Sequence, residues 1–145
     1  MTNNYMKLEF MNRSANEAFA RVVVSAFAAQ LDPTIEEISD IKTAVSEAVT
    51  NSVIHGYENG EGIIIVESWI KGNKVEIVVS DNGNGIEDIE KALEPFYTSK
   101  PELERSGMGF TVMETFMDSL EVYSESGKGT KVKMTKTFKE LPDRE

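Results

Sequence analysis

Residues 41–56 read Ile41-Lys42-Thr43-Ala44-Val45-Ser46-Glu47-Ala48-Val49-Thr50-Asn51-Ser52-Val53-Ile54-His55-Gly56. With the residues just before them, apolar side chains recur at Ile35, Ile38, Ile41, Val45, Ala48, Val49 and Val53, the spacing of one face of an α-helix. Glu47, Asn51 and His55 follow one another at steps of four. Each such step turns an α-helix by only about 40°, so the three side chains form one polar stripe. The stripe runs beside the apolar face, not opposite it, and so looks across the rim of a core where a ligand can sit. Taken alone, the same spacing also describes a solvated helix edge.

Working outward, Thr34-Ile35-Glu36-Glu37 has the form of a capping box that starts this helix, and Gly56 is placed to end it. Asp32-Pro33 separates it from an earlier helical pattern through Phe19, Val22, Val23, Ala26 and Phe27 to about Gln30. Ser14 and Glu17 suggest a second capping box at the start of that helix, and Arg21 falls on its outer side. Residues 5–11 alternate as a strand with Met6, Leu8 and Phe10 on one face. Downstream, Ile63 to Ile70 and Val75 to Ser80 read as a hairpin turned at Gly72-Asn73. The second of these strands runs into Asp81-Asn82-Gly83-Asn84-Gly85. A short helical pattern covers Ile86 to Leu93, an aperiodic segment runs from Pro95 to Ser106, and Gly107-Met108-Gly109 opens a helix with Phe110, Val112, Met113 and Phe116 inward. Leu120 to Ser124 and the stretch from Thr130 to Phe138 are the last two strands.

The totals bound the class. At 145 residues, 40% apolar and 28% charged, the chain is expected to form a single domain over residues 1–145. It has no cysteine, which excludes disulfides and thiolate metal sites. No run reaches the roughly 20 apolar residues of a membrane span, and Met1 to Phe10 lacks the basic end and apolar stretch of a signal peptide. A cytoplasmic protein is expected. The net charge of −10 argues against non-specific binding to nucleic acid or to an anionic membrane and is compatible with a basic protein partner. An anionic ligand would need backbone amides, a metal ion or a few placed Lys and Arg residues.

Three glycine pairs stand at element junctions: Gly83/Gly85, Gly107/Gly109 and Gly127/Gly129. Singly, each fits an ordinary turn. Gly107-Met108-Gly109 opens a helix, whose free N–H groups and dipole favour phosphate. Neither a P-loop nor a dinucleotide-binding Gly-rich motif is present. Asp81, at the end of a strand, is either an Asx-type turn starter or a carboxylate able to accept from an exocyclic amine such as that of adenine.

The order of these features resembles the ATP-binding fold shared by gyrase, Hsp90, histidine kinases and MutL, over roughly residues 5–138. Within it, Ala29-Gln-Leu-Asp-Pro33, Ser46-Glu-Ala-Val-Thr-Asn51, Ile54-His-Gly-Tyr57 and Thr98-Ser-Lys-Pro-Glu-Leu-Glu-Arg-Ser-Gly-Met-Gly-Phe110 are similar to the anti-sigma-F factor family of endospore-forming bacteria. The resemblance implies an α/β (α+β) two-layer sandwich, a mostly antiparallel mixed sheet with helices on one face. It implies an ATP-dependent serine protein kinase that also holds sigma factor F inactive and phosphorylates a serine of an anti-anti-sigma factor. ATP/ADP and Mg²⁺ are the implied cofactors and a homodimer the implied assembly.

By the same resemblance, Asn51 supplies an oxygen to Mg²⁺ and Asp81 binds the adenine amine with Thr130 nearby. Gly83, Gly85 and Ile86 lie along the base, and Gly107, Met108, Gly109 and Phe110 present amides to phosphate. Thr98, Lys100 and Ser106 belong to the lid over the nucleotide, and Arg105 could neutralise the terminal phosphate. Glu47 is placed as general base, and Arg21 as a contact for both protein partners. His55 is left as a supporting or structural residue. The lid between Pro95 and Gly107 is too short for the long lids of gyrase or Hsp90. Two other readings stay open: a detached histidine-kinase ATPase domain, and a module that holds ATP only to sequester a partner.

Overall fold

The computed structural model describes residues 3–56, 60–83, 109–125 and 127–139. Strand β1 (Asn3–Met11) is followed by helix α1 (Ala15–Ala28), a 3-10 turn (Ala29–Leu31) and helix α2 (Ile35–His55). Then come β2 (Ile63–Lys71), β3 (Lys74–Asp81), α3 (Gly109–Phe116), β4 (Ser119–Glu125) and β5 (Gly129–Thr137). The five strands form one sheet in the order β1-β2-β3-β5-β4. Every pairing among them is antiparallel, so the sheet is plainer than the mixed one expected. The helical pattern at Ile86 to Leu93 and the segment Pro95 to Ser106 lie outside the described residues.

Alternation along β3 explains the layering. Val75, Ile77 and Val79 point to one face and are fully buried, together with Ile64 and Val66 of β2 and Val132 and Met134 of β5. Against this face lie Ile41, Ala44, Val45, Ala48 and Val49 of α2, all essentially inaccessible. Full burial of such a side chain contributes about 1.5–3 kcal/mol relative to exposure, so the α2–sheet seam is the main cohesive surface. The opposite face carries Tyr5 stacked near Trp69 at 5.3 Å between ring centroids, and Glu76 between Lys71 and Lys133 at 3.4 and 3.3 Å. That face is polar enough to meet water, as one-sided antiparallel sheets do.

The capping box at Thr34 forms as the pattern predicts. Glu37 N donates to Thr34 Oγ1 at 3.1 Å and Thr34 N to Glu37 Oε1 at 2.8 Å. The other Glu37 oxygen accepts from Lys139 N at 3.0 Å, tying the end of the chain's last strand to the start of α2. The box expected at Ser14 does not form. Ser14 already has helical dihedrals (φ −58°, ψ −31°), and its side chain makes no capping bond. Its would-be partner, Glu17, instead accepts from Ser46 Oγ on α2 at 2.6 Å, so a tertiary contact wins over the local one.

Periodicity also misplaces part of the burial. On α1 the buried residues are Ala20, Val24, Ser25, Phe27 and Ala28, whereas Phe19 and Val22 are 53% and 61% exposed. The rotational setting of α1 against its neighbours, not side-chain size, decides this, since Phe27 and Val24 are inside while Phe19 and Val22 are outside. Ile35, counted in the apolar stripe of α2, is the first helical residue and stands 88% exposed. Gly56 does end α2, but in a right-handed conformation (φ −69°). Glycine is needed there for room rather than for a left-handed turn.

Candidate functional site

The rim between α2, the end of β3 and the start of α3 carries Glu47, Asn51, Asp81, Gly83 and Gly109. Asp81 is the last residue of β3, 5% exposed. Its carboxylate accepts from Ser52 Oγ at 2.9 Å and from Gly83 N at 3.0 Å. The Thr130 backbone N–H also bonds it, which follows from the register that places Thr130 opposite Asp81. Burial pushes the Asp81 carboxyl above its ordinary pKa, against the pull of the bonds from Gly83, Ser52 and Thr130. A carboxylate has about four acceptor positions, so three such bonds leave capacity for one more donor. An aromatic amine would meet that capacity.

Close approach explains the glycines here. A Cβ on Gly83 would fall 1.6 Å from the Gly56 carbonyl oxygen, and one on Gly56 would lie 3.0 Å from the Asp81 carboxyl carbon. The end of α2 is thus seated directly on the β3 terminus. The resemblance puts Gly83 along the base, and in this structure its close approach is to Gly56.

Glu47 and Asn51 lie one turn apart on α2 and are both half-buried. A Cβ added to Gly109 would stand 3.3 Å from Glu47 Oε2. The Glu47 carboxylate therefore sits against the N-terminus of α3, where unsatisfied N–H groups and the helix dipole favour negative charge. Phe110, 8% exposed, belongs to the core, so a nucleotide contact there would fall to its backbone rather than its ring. Thr130 Oγ1 pairs with Ser124 Oγ at 2.8 Å. His55 closes the last turn of α2, half-exposed.

Arg21 lies on the surface of α1, on the side that borders α2. It is half-exposed, 3.7 Å from Glu17, and lines a cleft of about 400 Å³ with Val22, Lys42, Thr43, Ser46 and Glu47. The cleft between α1 and α2 thus joins the partner-contact candidate to the general-base candidate. Gly85, Ile86, Thr98, Lys100, Arg105, Ser106, Gly107 and Met108 lie outside the described residues.

Two residues of the site were missed in the sequence. Ser52 is a serine at a core position of α2, following Ala48 and Val49, and a lone hydroxyl in an apolar stripe is a signal for a buried partner. Ser46, which holds Glu17, carried no such signal because it sits at a partly exposed position where a serine is ordinary. For a metal ion, no group of three or more His, Cys, Asp or Glu side chains is assembled among the described residues. One amide oxygen, from Asn51, fits Mg²⁺, which commonly keeps waters and phosphate oxygens and takes only one or two protein ligands.

The sequence pattern of the histidine kinase-like ATPase domain family matches residues 10–136. A solved structure of the RsbU and RsbW domains of a Mycobacterium tuberculosis protein superposes with a TM-score of 0.64 at 17% identity, covering 93% of this chain and 32% of that one. Fold and site together define an ATPase domain of the histidine kinase-like class. Among curated relatives, "Anti-sigma F factor" of Clostridium kluyveri is 64% identical over 141 residues, covering 97% of this chain and 99% of the relative. That of Clostridium botulinum (strain Alaska E43) is 68% identical over 139 residues, covering 95% and 97%. The chain belongs to the anti-sigma F factor family.

Proposed function

We propose that the chain is an ATP-dependent serine protein kinase that also acts as an anti-sigma factor, in one domain spanning residues 1–145. It would hold sigma factor F and phosphorylate a serine of an anti-anti-sigma antagonist, working as a homodimer. The observation that carries the reading is the placement of Glu47. Its carboxylate meets the N-terminus of α3, with Asn51 one turn along α2 and the buried Asp81 of β3 at the C-terminal end of that helix, bonded to Ser52.

In this reading Asp81 accepts the adenine amine, and Ser52, Gly83 and Thr130 keep its carboxylate aimed. The amides of Gly109 and Phe110, with Gly107 and Met108, receive phosphate oxygens. Gly85, Ile86, Thr98, Lys100 and Ser106 complete the nucleotide site, and Arg105 balances charge on the terminal phosphate. Asn51 would hold Mg²⁺, which when bound offsets phosphate charge. Glu47 takes the proton of the incoming serine hydroxyl. A positioned carboxylate acting this way contributes typically ~10²–10⁴-fold in rate.

The cleft beside Glu47 gives the acceptor protein a route to this base. Arg21 on its wall offers a planar fork suited to a partner carboxylate. The net charge of −10 suits basic surfaces on a sigma factor and disfavours direct nucleic-acid binding. Among the described residues, no helix is long and apolar enough to cross a membrane.

The test is phosphate transfer from labelled ATP to the purified acceptor, with parent and Glu47→Gln chains. Transfer to serine by the parent, falling ~10²-fold or more in Glu47→Gln while ATP and sigma binding persist, is the expected result. Transfer to histidine would favour the histidine-kinase alternative. ATP binding with no transfer would favour a sequestering module, and equal rates in both chains would remove Glu47 from the chemistry.

A further inference from the structure

Strand β5 turns Val132 and Met134 inward, and Phe138 follows directly after it, exposed by 2%, 0% and 1%. Lys136 occupies the same face, where alternation calls for an apolar residue. Its side chain is only 13% exposed. The ammonium donates to the carbonyl of Phe116, the last residue of α3, at 2.8 Å, and stands 3.3 Å from Asp40 Oδ2 of α2. Carbonyls at a helix C-terminus lack intrahelical partners and attract cations. Two more bonds fasten the residues just after α3 to β5: Asp118 N to Thr135 O at 2.8 Å and Thr137 N to Asp118 Oδ2 at 2.6 Å.

The other end of α3 meets Glu47 at Gly109. Asp40 and Glu47 are seven residues apart on α2 and so project from nearly the same side, about 10 Å apart along the axis. Helix α3, with eight residues, is about 12 Å long. It therefore lies along α2 with its C-terminus fixed at Asp40 through Lys136 and its N-terminus at Glu47. A buried ion pair is weak evidence for stability, since well-packed apolar replacements are often neutral or better. Its attested use is to fix register.

We infer that Lys136, with Asp40, is a positioning residue that sets the register of α3 along α2 and thereby the place of the α3 N-terminal amides relative to Glu47. The inference rests on the reading of that N-terminus as the phosphate end of a nucleotide site. Lys136 itself touches no ligand. A displacement of about 1 Å in such a constellation can cost ~10²-fold in rate, so loosening the clamp separates phosphate recognition from recognition of the base.

The experiment compares the full-length parent with the double variant Asp40→Asn/Lys136→Met. Calorimetry measures adenosine and Mg·ATP affinities, and thermal melting checks the fold. The expected result is unchanged adenosine affinity, Mg·ATP affinity lower by ~10-fold, and a melting temperature close to the parent's. Lys136→Arg, which keeps a cation able to reach both partners, should retain most of the parent's ATP-to-adenosine ratio. Asp40→Asn alone makes the same comparison with the methylene packing of Lys136 intact. An unchanged ratio in the double and single Asp40 variants overturns the inference, because a merely structural pair would alter melting and leave the ratio alone. A parent that binds no ATP overturns the functional reading and this inference together.

Discussion

Asp81 carries the sharpest expectations for single residues. Its carboxyl is raised above the usual range by burial, with Gly83, Ser52 and Thr130 bonds opposing. The folded state therefore binds this proton more tightly than the unfolded chain, and through this group stability falls as pH rises past the raised value. Nucleotide binding runs the other way, because the carboxylate is the stronger acceptor for a base amine. ATP affinity should thus fall as pH drops through the raised Asp81 pKa. Ser52→Ala removes one bond to the anion and should move that acid limb to higher pH, measured by calorimetry across pH; an unmoved limb would show that the Ser52 hydroxyl does not tune Asp81. Asn51→Ala should abolish Mg²⁺-dependent ATP binding with little change in melting temperature, since the half-buried amide is not part of the core. A melting loss as large as that of a core truncation would contradict this.

Helix starts separate a local signal from a tertiary one. Thr34 and Glu37 make both bonds of a capping box, and Thr34→Ala should cost about 1 kcal/mol, a melting shift of roughly 4 °C for a chain of this size. Glu37→Ala should cost more, because it also removes the acceptor of Lys139 N. Ser14→Ala should be close to neutral, since Ser14 makes no side-chain cap. Thermal or urea melts of the three variants test the ranking, and equal losses at Ser14 and Thr34 would refute it. Both starts match the same four-residue pattern. They differ because Glu17 finds Ser46 across the α1–α2 contact, a competitor that local pattern does not contain.

For the whole molecule, the α1–α2 cleft places Arg21 and Glu47 on one surface. A partner docked on Arg21 would lie beside the residue proposed to activate its hydroxyl. Arg21→Ala should weaken binding of both the sigma factor and the acceptor protein by about 2 kcal/mol or more, with ATP affinity held within error. Surface-immobilised partner binding and calorimetry give the two readouts. Unchanged affinity for both partners would return Arg21 to ordinary surface.

By itself the sequence determined the order of the described elements, the hairpin at Gly72-Asn73, the capping of α2 and the polar stripe of Glu47, Asn51 and His55. These depend on spacing within one element, which period and turn chemistry encode locally. The resemblance in its motifs also pointed to the family that the relatives show. The tertiary structure alone decided which face of α1 is buried, because the docking of α1 covers Ala20, Val24, Phe27 and Ala28 and leaves Phe19 and Val22 outside. It alone brought Ser52 to Asp81, Glu17 to Ser46 and Lys136 to Asp40. Each of these pairs joins groups 29 or more residues apart, and their bonds exist only once hydrophobic packing has set α1, α2, β3 and β5 together.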